Sequence, residues 1–317
     1  MNADLIRRRA DLTRDLRGFF DAHGYVEVET PLLSREVCVD AHIDPIVTAD
    51  GKFLQPSPEL AMKRLLANED FAIECPAIWQ LTKAFRHGER GHRHSPEFTM
   101  CEWYRVGDTH REQMAFTEEL CDAMHRTRHA IPQPPPRPYP RVAYWDAVEE
   151  TTGEDFSQAD GAAIGDWLRR SQSVASWSET TDRDGWLNAL LALVVEPWLA
   201  RHPACFLVDY PASQAALATV RRDGRIEVAE RFELYMTDGD GGVIELANGY
   251  NELTDAAESR RRFERANGER ADALPLPDRF LNATDRLPKC SGVALGWDRL
   301  LMHLLRVDTI AEIAVLD

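Results

Sequence analysis

Two strand-like runs joined through a cationic loop constrain this chain more than any other feature of it. Ala77-Ile78-Trp79-Gln80-Leu81 and Phe98-Thr99-Met100-Cys101-Glu102-Trp103-Tyr104 are rich in apolar and aromatic residues, and the stretch between them, 87–96, is polar. A strand, a polar return and a second strand make an antiparallel pair. More strand-like runs lie near 205–210, 226–236 and 243–246, the last two separated by the turn signal Asp238-Gly239-Asp240-Gly241-Gly242. Tyr25 to Pro31 alternates with period two and stops at proline, which predicts an edge or interface strand. Helical spacing covers the N-terminal segment, where Leu5, Leu12, Leu16 and Phe19 repeat behind a capping Asn2 and His23-Gly24 ends the run. Residues 109–129 and most of 141–200 also read as helix, and 292–305 as strand, glycine turn and terminal helix. Helix and strand do not alternate regularly, and neither G-x-G-x-x-G nor G-x-x-x-x-G-K-[ST] occurs. A Rossmann or P-loop site is therefore unsupported. The expected class is α+β, an antiparallel sheet flanked by helices.

The 317 residues suit one or two domains. The expectation is one catalytic domain over 1–317, with a stiff proline-rich connector at 132–140 and a mainly helical insertion at 141–200. No window holds 18 uncharged apolar residues, and the charged N-terminus has no signal-peptide core. Six cysteines at irregular spacing, with no C-x-x-C pair, read as reduced thiols. A cytoplasmic protein with no membrane contact is expected. The net charge of −16 opposes a broad phosphate footprint and suits a cationic substrate or a basic protein partner.

Three separated segments carry chemistry. The first is Phe85-Arg86-His87-Gly88-Glu89-Arg90-Gly91-His92-Arg93-His94-Ser95-Pro96-Glu97-Phe98. The second is Glu230-Arg231-Phe232-Glu233, followed after a turn by Glu245-Leu246-Ala247-Asn248-Gly249-Tyr250-Asn251-Glu252-Leu253. The third is Gly292-Val293-Ala294-Leu295-Gly296-Trp297-Asp298-Arg299-Leu300. Arginines beside histidines, with separated carboxylates, suit a polyphosphate held with Mg²⁺, which takes one or two carboxylates plus phosphate oxygens. A solvated charged loop and strand-face ion pairs are the plain alternatives for each segment alone. Ahead of them, Ser57-Pro58-Glu59 reads as a helix start, with Ser57 as cap and Pro58 in the first helical position.

Together these segments resemble the signature motifs of class II aminoacyl-tRNA synthetases: 24–33 is similar to motif 1, 85–98 to motif 2 and 292–300 to motif 3. Ser57-Pro58-Glu59, Glu97 to Tyr104 and Asn248 to Leu253 resemble the lysine branch. Pro211-Ala212-Ser213-Gln214-Ala215, Glu245 to Gly249 and Cys290 to Gly296 resemble most closely the stand-alone lysyl-synthetase paralogues of the EpmA, PoxA or GenX family. That family attaches a lysine, with (R)-β-lysine preferred, to a lysine of translation elongation factor P. The resemblance implies a class II catalytic fold, ATP as substrate, Mg²⁺, elongation factor P as partner and a homodimer through motif 1. Only 23 residues precede Gly24, so no anticodon-binding domain is expected before motif 1, and no stable tRNA binding.

By the same resemblance Arg86 holds the ATP α-phosphate and the donor carboxylate. His94 and Arg299 reach the γ-phosphate, Phe98 stacks on adenine, and Glu233 and Glu245 hold the metal. Glu59, beside Ser57, takes the donor's backbone-side amine and Asn248 its carboxylate, while Glu102, Tyr104 and Glu252 take the distal ammonium. Ala247, a glycine in lysyl-tRNA enzymes, tunes donor choice. The family's F-R-N-E is here Phe85-Arg86-His87-Gly88, with Glu89 the next carboxylate: either Glu89 takes over the adenine site or adenine recognition leans on backbone. Trp297 stands where a small aliphatic is usual, and the 237–243 turn is longer than the norm. A truncated lysyl-tRNA synthetase paralogue, acting on tRNA or a small acceptor, and a silent synthetase-like binding protein are the competing readings.

Overall fold

The computed structural model describes residues 3–171, 182–238 and 241–313, which form two compact units: 1–134 with 249–317, and 135–248. The expected cap Asn2 and the centre of the 238–242 turn lie outside the described residues.

The first unit opens with α1 (Ala3–Ala22), whose Leu12, Leu16, Phe19 and Phe20 are buried. Gly24, at φ 72, turns the chain into β1 (Val26–Glu27). Only these two residues of the alternating 25–31 run are strand; they pair in parallel with the sheet edge, and the chain leaves before Pro31. β2 (Leu33–Ser34), β3 (Ile46–Val47) and β4 (Phe53–Leu54) make a small separate sheet in the order β2-β4-β3. α2 (Glu59–Leu66) and α3 (Glu69–Glu74) follow. Ser57 does not cap α2: the helix begins at Glu59, Pro58 holds the cap position, and no side chain bonds there. Proline's fixed φ starts the helix without help from the serine.

β5 (Ala77–Phe85) and β6 (Glu97–Val106) form the expected hairpin, antiparallel from Ala77↔Arg105 to Phe85↔Glu97, each longer than its sequence signal. α4 (His110–His125) packs against α1 and reaches the hairpin through Gln113, which accepts from Trp103. After the second unit the chain returns through α9 (Ala256–Glu269), α10 (Asp278–Thr284), β12 (Cys290–Gly296), α11 (Trp297–Leu305) and α12 (Ile310–Ile313). The strand order in this unit is β1-β5-β6-β12. Phe20 stacks on Trp79 with centroids 4.3 Å apart and packs against Trp103 and Tyr25. Trp103, fully buried, donates its indole N–H to Gln113 at 2.7 Å, as a buried ring nitrogen requires. This aromatic block makes the back of the hairpin rigid.

The second unit contains β7 (Arg141–Ala143), α5 (Tyr144–Thr152), α6 (Gly161–Ser171), α7 (Arg183–Leu190), a π turn at Leu191–Val195 and α8 (Glu196–Leu199). It continues with β8 (Ala204–Pro211), β9 (Val220–Asp223) and β10 (Ile226–Thr237). β11 (Val243–Asn251) carries the chain back to the first unit. β10 pairs antiparallel with β8 and β9, and β7 parallel with β8. The helices expected over 141–200 are thus part of a unit with its own strands. Both units show the expected sheet flanked by helices; among the described residues the parallel pairs are β1 with β5 and β7 with β8. No described helix is long and apolar enough to cross a membrane.

Candidate active site

In the first unit, period-two geometry puts Glu102 and Tyr104 on one face of β6. Pairing sets Gly292 of β12 opposite Tyr104 and Ala294 opposite Glu102. Tyr104 lies flat across Gly292: a Cβ there would stand 2.2 Å from its ring and 2.6 Å from Glu252 Oε1. Only glycine leaves room for both. The Tyr104 hydroxyl donates to Glu102 Oε1 at 2.6 Å. Glu102 Oε2 is buried with no hydrogen-bond partner among the described residues.

Glu252, 4% exposed, follows β11 and is held by its N–H bond to Cys290 at 3.0 Å. Glu59, in the first turn of α2, completes the group. Lys63, one helical turn further along α2, is buried and bonds Glu59 at 2.7 Å and Glu252. The three residues predicted for the distal ammonium, Glu102, Tyr104 and Glu252, are therefore together with Glu59, predicted for the backbone-side amine, and a lysine that sequence reasoning passed over stands among them. Burial, then the nearby Glu59 charge, pushes the Glu102 carboxyl up to about 8. Burial pushes Glu252 up to about 7, opposed by Lys63. An enclosed group of carboxyls with an unpaired oxygen fits an incoming ammonium, which needs exactly such charged acceptors once out of water.

The loop after β5 carries the phosphate candidates. Arg86 donates to Pro56 O at 3.4 Å and to Glu89 at 3.3 Å, and its guanidinium lies 5.0 Å from the Phe98 ring centre. Arg86, Glu89 and Phe98 are thus one cluster. Gly88 has φ 80, a backbone that a glutamate would adopt only under strain; the next carboxylate, Glu89, lies against Arg86. On the other side of the loop Arg299 donates to His94 Nε2 at 2.8 Å. Partial burial and the Arg299 charge lower the His94 pKa, so the ring accepts as the neutral form. Asp298 fixes the start of α11. It is 2% exposed, accepts from Thr99 N–H at 2.6 Å and bonds Arg9 at 2.7 Å.

The second unit holds Glu233, Glu245, Ala247 and Asn248. β10 carries a bulge: Ala229 pairs with Tyr210 and Phe232 with Val208, so Glu230 and Arg231 together oppose Asp209, itself at φ 57. Arg231 bonds Glu233, donates to Asn248 at 3.3 Å and to Gln214 O at 2.8 Å, and lies over Tyr210. The Pro211 to Ala215 segment therefore serves by anchoring that arginine. Glu233, 6% exposed, also accepts the hydroxyls of Tyr210 and Tyr235, each at 2.6 Å. Glu245 is half-buried on β11, and Ala247 is fully buried.

Sequence reasoning missed Lys63, Arg231, Arg9 and the two tyrosines. Lys63 had a signal, the Glu59–Lys63 spacing of four on a helix. Arg231 stood in a quoted motif without a role. The partners of Arg9 lie 90 and 289 residues away, beyond any local pattern.

Comparison with known proteins gives the lineage. The family model for class II tRNA synthetases (D, K and N) matches residues 1–316. A protein of Hamiltonella defensa subsp. Acyrthosiphon pisum named elongation factor P–(R)-β-lysine ligase is 37% identical over 326 residues, covering 96% of this chain and 92% of its own. Proteins of the same name from Salmonella gallinarum and Salmonella paratyphi B are 35% identical, again over 96% and 92% of the two chains. The motifs, the sheet that carries them and these full-length matches agree: the chain belongs to the class II tRNA synthetase family, in the branch of the elongation factor P–(R)-β-lysine ligases.

Proposed function

We propose that this chain activates lysine or (R)-β-lysine with ATP and transfers the aminoacyl group to a lysine side chain of translation elongation factor P. The observation that carries the reading is the enclosed group of Glu59, Glu102, Tyr104 and Glu252 in the first unit, with an unpartnered carboxylate oxygen on Glu102. The first step joins the donor carboxylate oxygen to the ATP α-phosphorus and breaks the bond to the β-phosphate, releasing pyrophosphate. In the second, an acceptor amine attacks the acyl carbon and AMP leaves. No enzyme nucleophile is required, so the work is positioning and charge stabilisation.

Arg86 takes the α-phosphate and the donor carboxylate, its planar fork serving both oxyanions. Phe98 stacks on adenine, with Glu89 beside it for the adenine edge. His94 and Arg299 act together at the terminal phosphate. Neutral His94 adds no competing positive charge and orients the guanidinium. Asn248 takes the donor carboxylate, and Glu59 the amine next to it. Glu102, Tyr104 and Glu252 bind the distal ammonium, and Ala247 tunes donor choice.

Glu233 and Glu245 have the chemistry for Mg²⁺: hard oxygen donors, one of them fixed by two tyrosine hydroxyls. The metal would neutralise phosphate charge. Glu233 would have to share its Arg231 contact.

The exposed Val26, Leu32 and Leu33 of the motif 1 segment, 38–42% exposed, support a homodimer formed there. The acidic balance supports a basic protein acceptor over tRNA. An acceptor in translation places the enzyme in the cytoplasm. The test is radiolabel transfer from lysine and from (R)-β-lysine with ATP, offering purified elongation factor P and total tRNA separately. Label on the factor is the expected result; label on tRNA with none on the factor overturns the reading.

A further inference from the structure

We propose that Lys63 is a positioning residue of the donor site: a built-in counter-ion that pairs with Glu59 and Glu252 and fixes how each is presented, leaving Glu102 as the carboxyl with no cation of its own until the donor's ammonium arrives. This rests on the proposed lysine-activating function and deepens it.

The argument begins with burial. Lys63 is 1% exposed, and a lysine so placed is tolerated only with anionic partners. It has two, Glu59 on its own helix and Glu252 after β11. Its ammonium also stands 5.9 Å from the Tyr104 ring centre. The titratable groups that interact with it come from several elements. Glu59 lies on α2, Glu102 and Tyr104 on β6, Glu252 beyond β11, Cys290 on β12, and Cys38 in the segment whose thiol approaches Glu59 at 3.9 Å. Both thiols are held neutral by burial.

Three carboxyls thus face one fixed ammonium. Ion pairing divides them unequally. Glu59 and Glu252 each pair with Lys63, although Glu252 Oε2 makes no hydrogen bond of its own. Glu102 has no ion-pair partner among the described residues, only the Tyr104 hydroxyl, and its Oε2 is unbonded. The Glu59 and Glu252 charges oppose ionisation of Glu102, and Lys63 favours it. The donor ammonium is then the second cation the pocket is built to receive, and Glu102 meets it beside Glu252. Without Lys63, Glu59 and Glu252 would lose their shared partner and the fixed orientation it gives them toward the donor.

The test compares wild type with Lys63→Met, which keeps the stem and removes the charge, and Lys63→Arg, which keeps the charge. Donor-dependent pyrophosphate exchange is followed from pH 6 to 9, with ATP affinity measured separately. In Lys63→Met the donor KM should rise at least tenfold, while ATP affinity changes less than threefold. The acidic limb of kcat/KM for the donor should move up by at least one pH unit, because removing a positive charge makes carboxyls harder to ionise. Lys63→Arg should recover part of the loss and restore the limb. A folded Lys63→Met enzyme with wild-type donor KM and an unmoved limb overturns the proposal. So does a parallel loss of donor and ATP binding that Lys63→Arg does not relieve, which marks a packing role. Failure of wild type itself to exchange with either lysine would refute the function reading instead.

Discussion

Replacing Glu102 by glutamine should make the protein more stable and less active at once. The carboxyl, ordinarily near 4.5, is pushed up to about 8, first by burial and then by the Glu59 charge. At roughly 1.4 kcal/mol per tenfold change, the anion is disfavoured in the empty pocket by at most about 5 kcal/mol. The sign follows from proton counting. Between about 4.5 and 8 the folded state keeps a proton that the unfolded state has lost. Stability therefore falls as pH rises through that window and is flat above it. Glutamine cannot ionise, so Glu102→Gln should match wild type at pH 4.5 and exceed it at pH 8.5 by about 2 kcal/mol or more, less than the full figure because the pocket relaxes and hydrates. The amide can still accept from Tyr104, which keeps the local geometry.

The donor pays the other side. An ammonium that meets an amide in place of a carboxylate should lose about 1–3 kcal/mol, or about 5- to 150-fold in donor kcat/KM. ATP binding should hardly change, because the phosphate candidates Arg86, His94 and Arg299 are not in the Glu102 cluster. Thermal unfolding at pH 4.5 and 8.5 and lysine-dependent pyrophosphate exchange read the two effects. Unchanged exchange would refute the ammonium assignment; a lower melting temperature than wild type at pH 8.5 would refute the electrostatic argument.

Further outcomes follow from other contacts. Gly292→Ala should cost about 1–3 kcal/mol of stability by overpacking and impair donor activation more than ATP binding, since the added methyl meets Tyr104 and Glu252; chemical denaturation and exchange assays check this. Arg9→Ala should raise the KM for ATP, with a stability loss of about 2–3 kcal/mol, because Asp298 beside Arg299 is left buried without its charged partner; equal KM values would refute it. Ala247→Gly should shift the ratio of exchange with lysine to that with (R)-β-lysine by about 1–3 kcal/mol, the scale of one methyl in a pocket, and an identical ratio would sink the idea. Chelation with EDTA should stop exchange and Mg²⁺ restore it, whereas full activity in the chelator would remove the metal role from Glu233 and Glu245.

The parts of this protein legible in its sequence are those with local causes. The β5–β6 hairpin was readable because apolar strands and a polar return are adjacent in the chain, and its register then fixes which side chains share a face. The Glu102–Tyr104 pair follows from period two alone. The helix start at Glu59 was readable to within one residue, although the serine that signals caps so often does nothing here. What stayed hidden depends on distant pairing. Gly292 looks like any strand glycine until β12 is laid beside β6. Arg231 gains its meaning from a bulge opposite Asp209, a feature with no composition of its own. The short extent of β1 was invisible because alternation persists after the hydrogen-bond ladder has ended.

The first unit combines two opposite kinds of burial. Behind the hairpin, Phe20, Trp79 and Trp103 interdigitate, and the indole N–H of Trp103 is satisfied by Gln113. In front, carboxyls and a lysine are buried at a cost that replacing them by apolar residues would often remove. Apolar packing beside the pocket, where Met62, Leu66 and Ile78 meet Tyr104 and Cys290, offsets that cost and holds the charged side chains in fixed rotamers. A loose frame would let the carboxyls rotate toward solvent and recover hydration, and the pocket would then lose both its unpaired oxygen and its reason to prefer an ammonium. The apolar core therefore supports selectivity as well as stability: it prevents the charged groups from relaxing before the donor arrives.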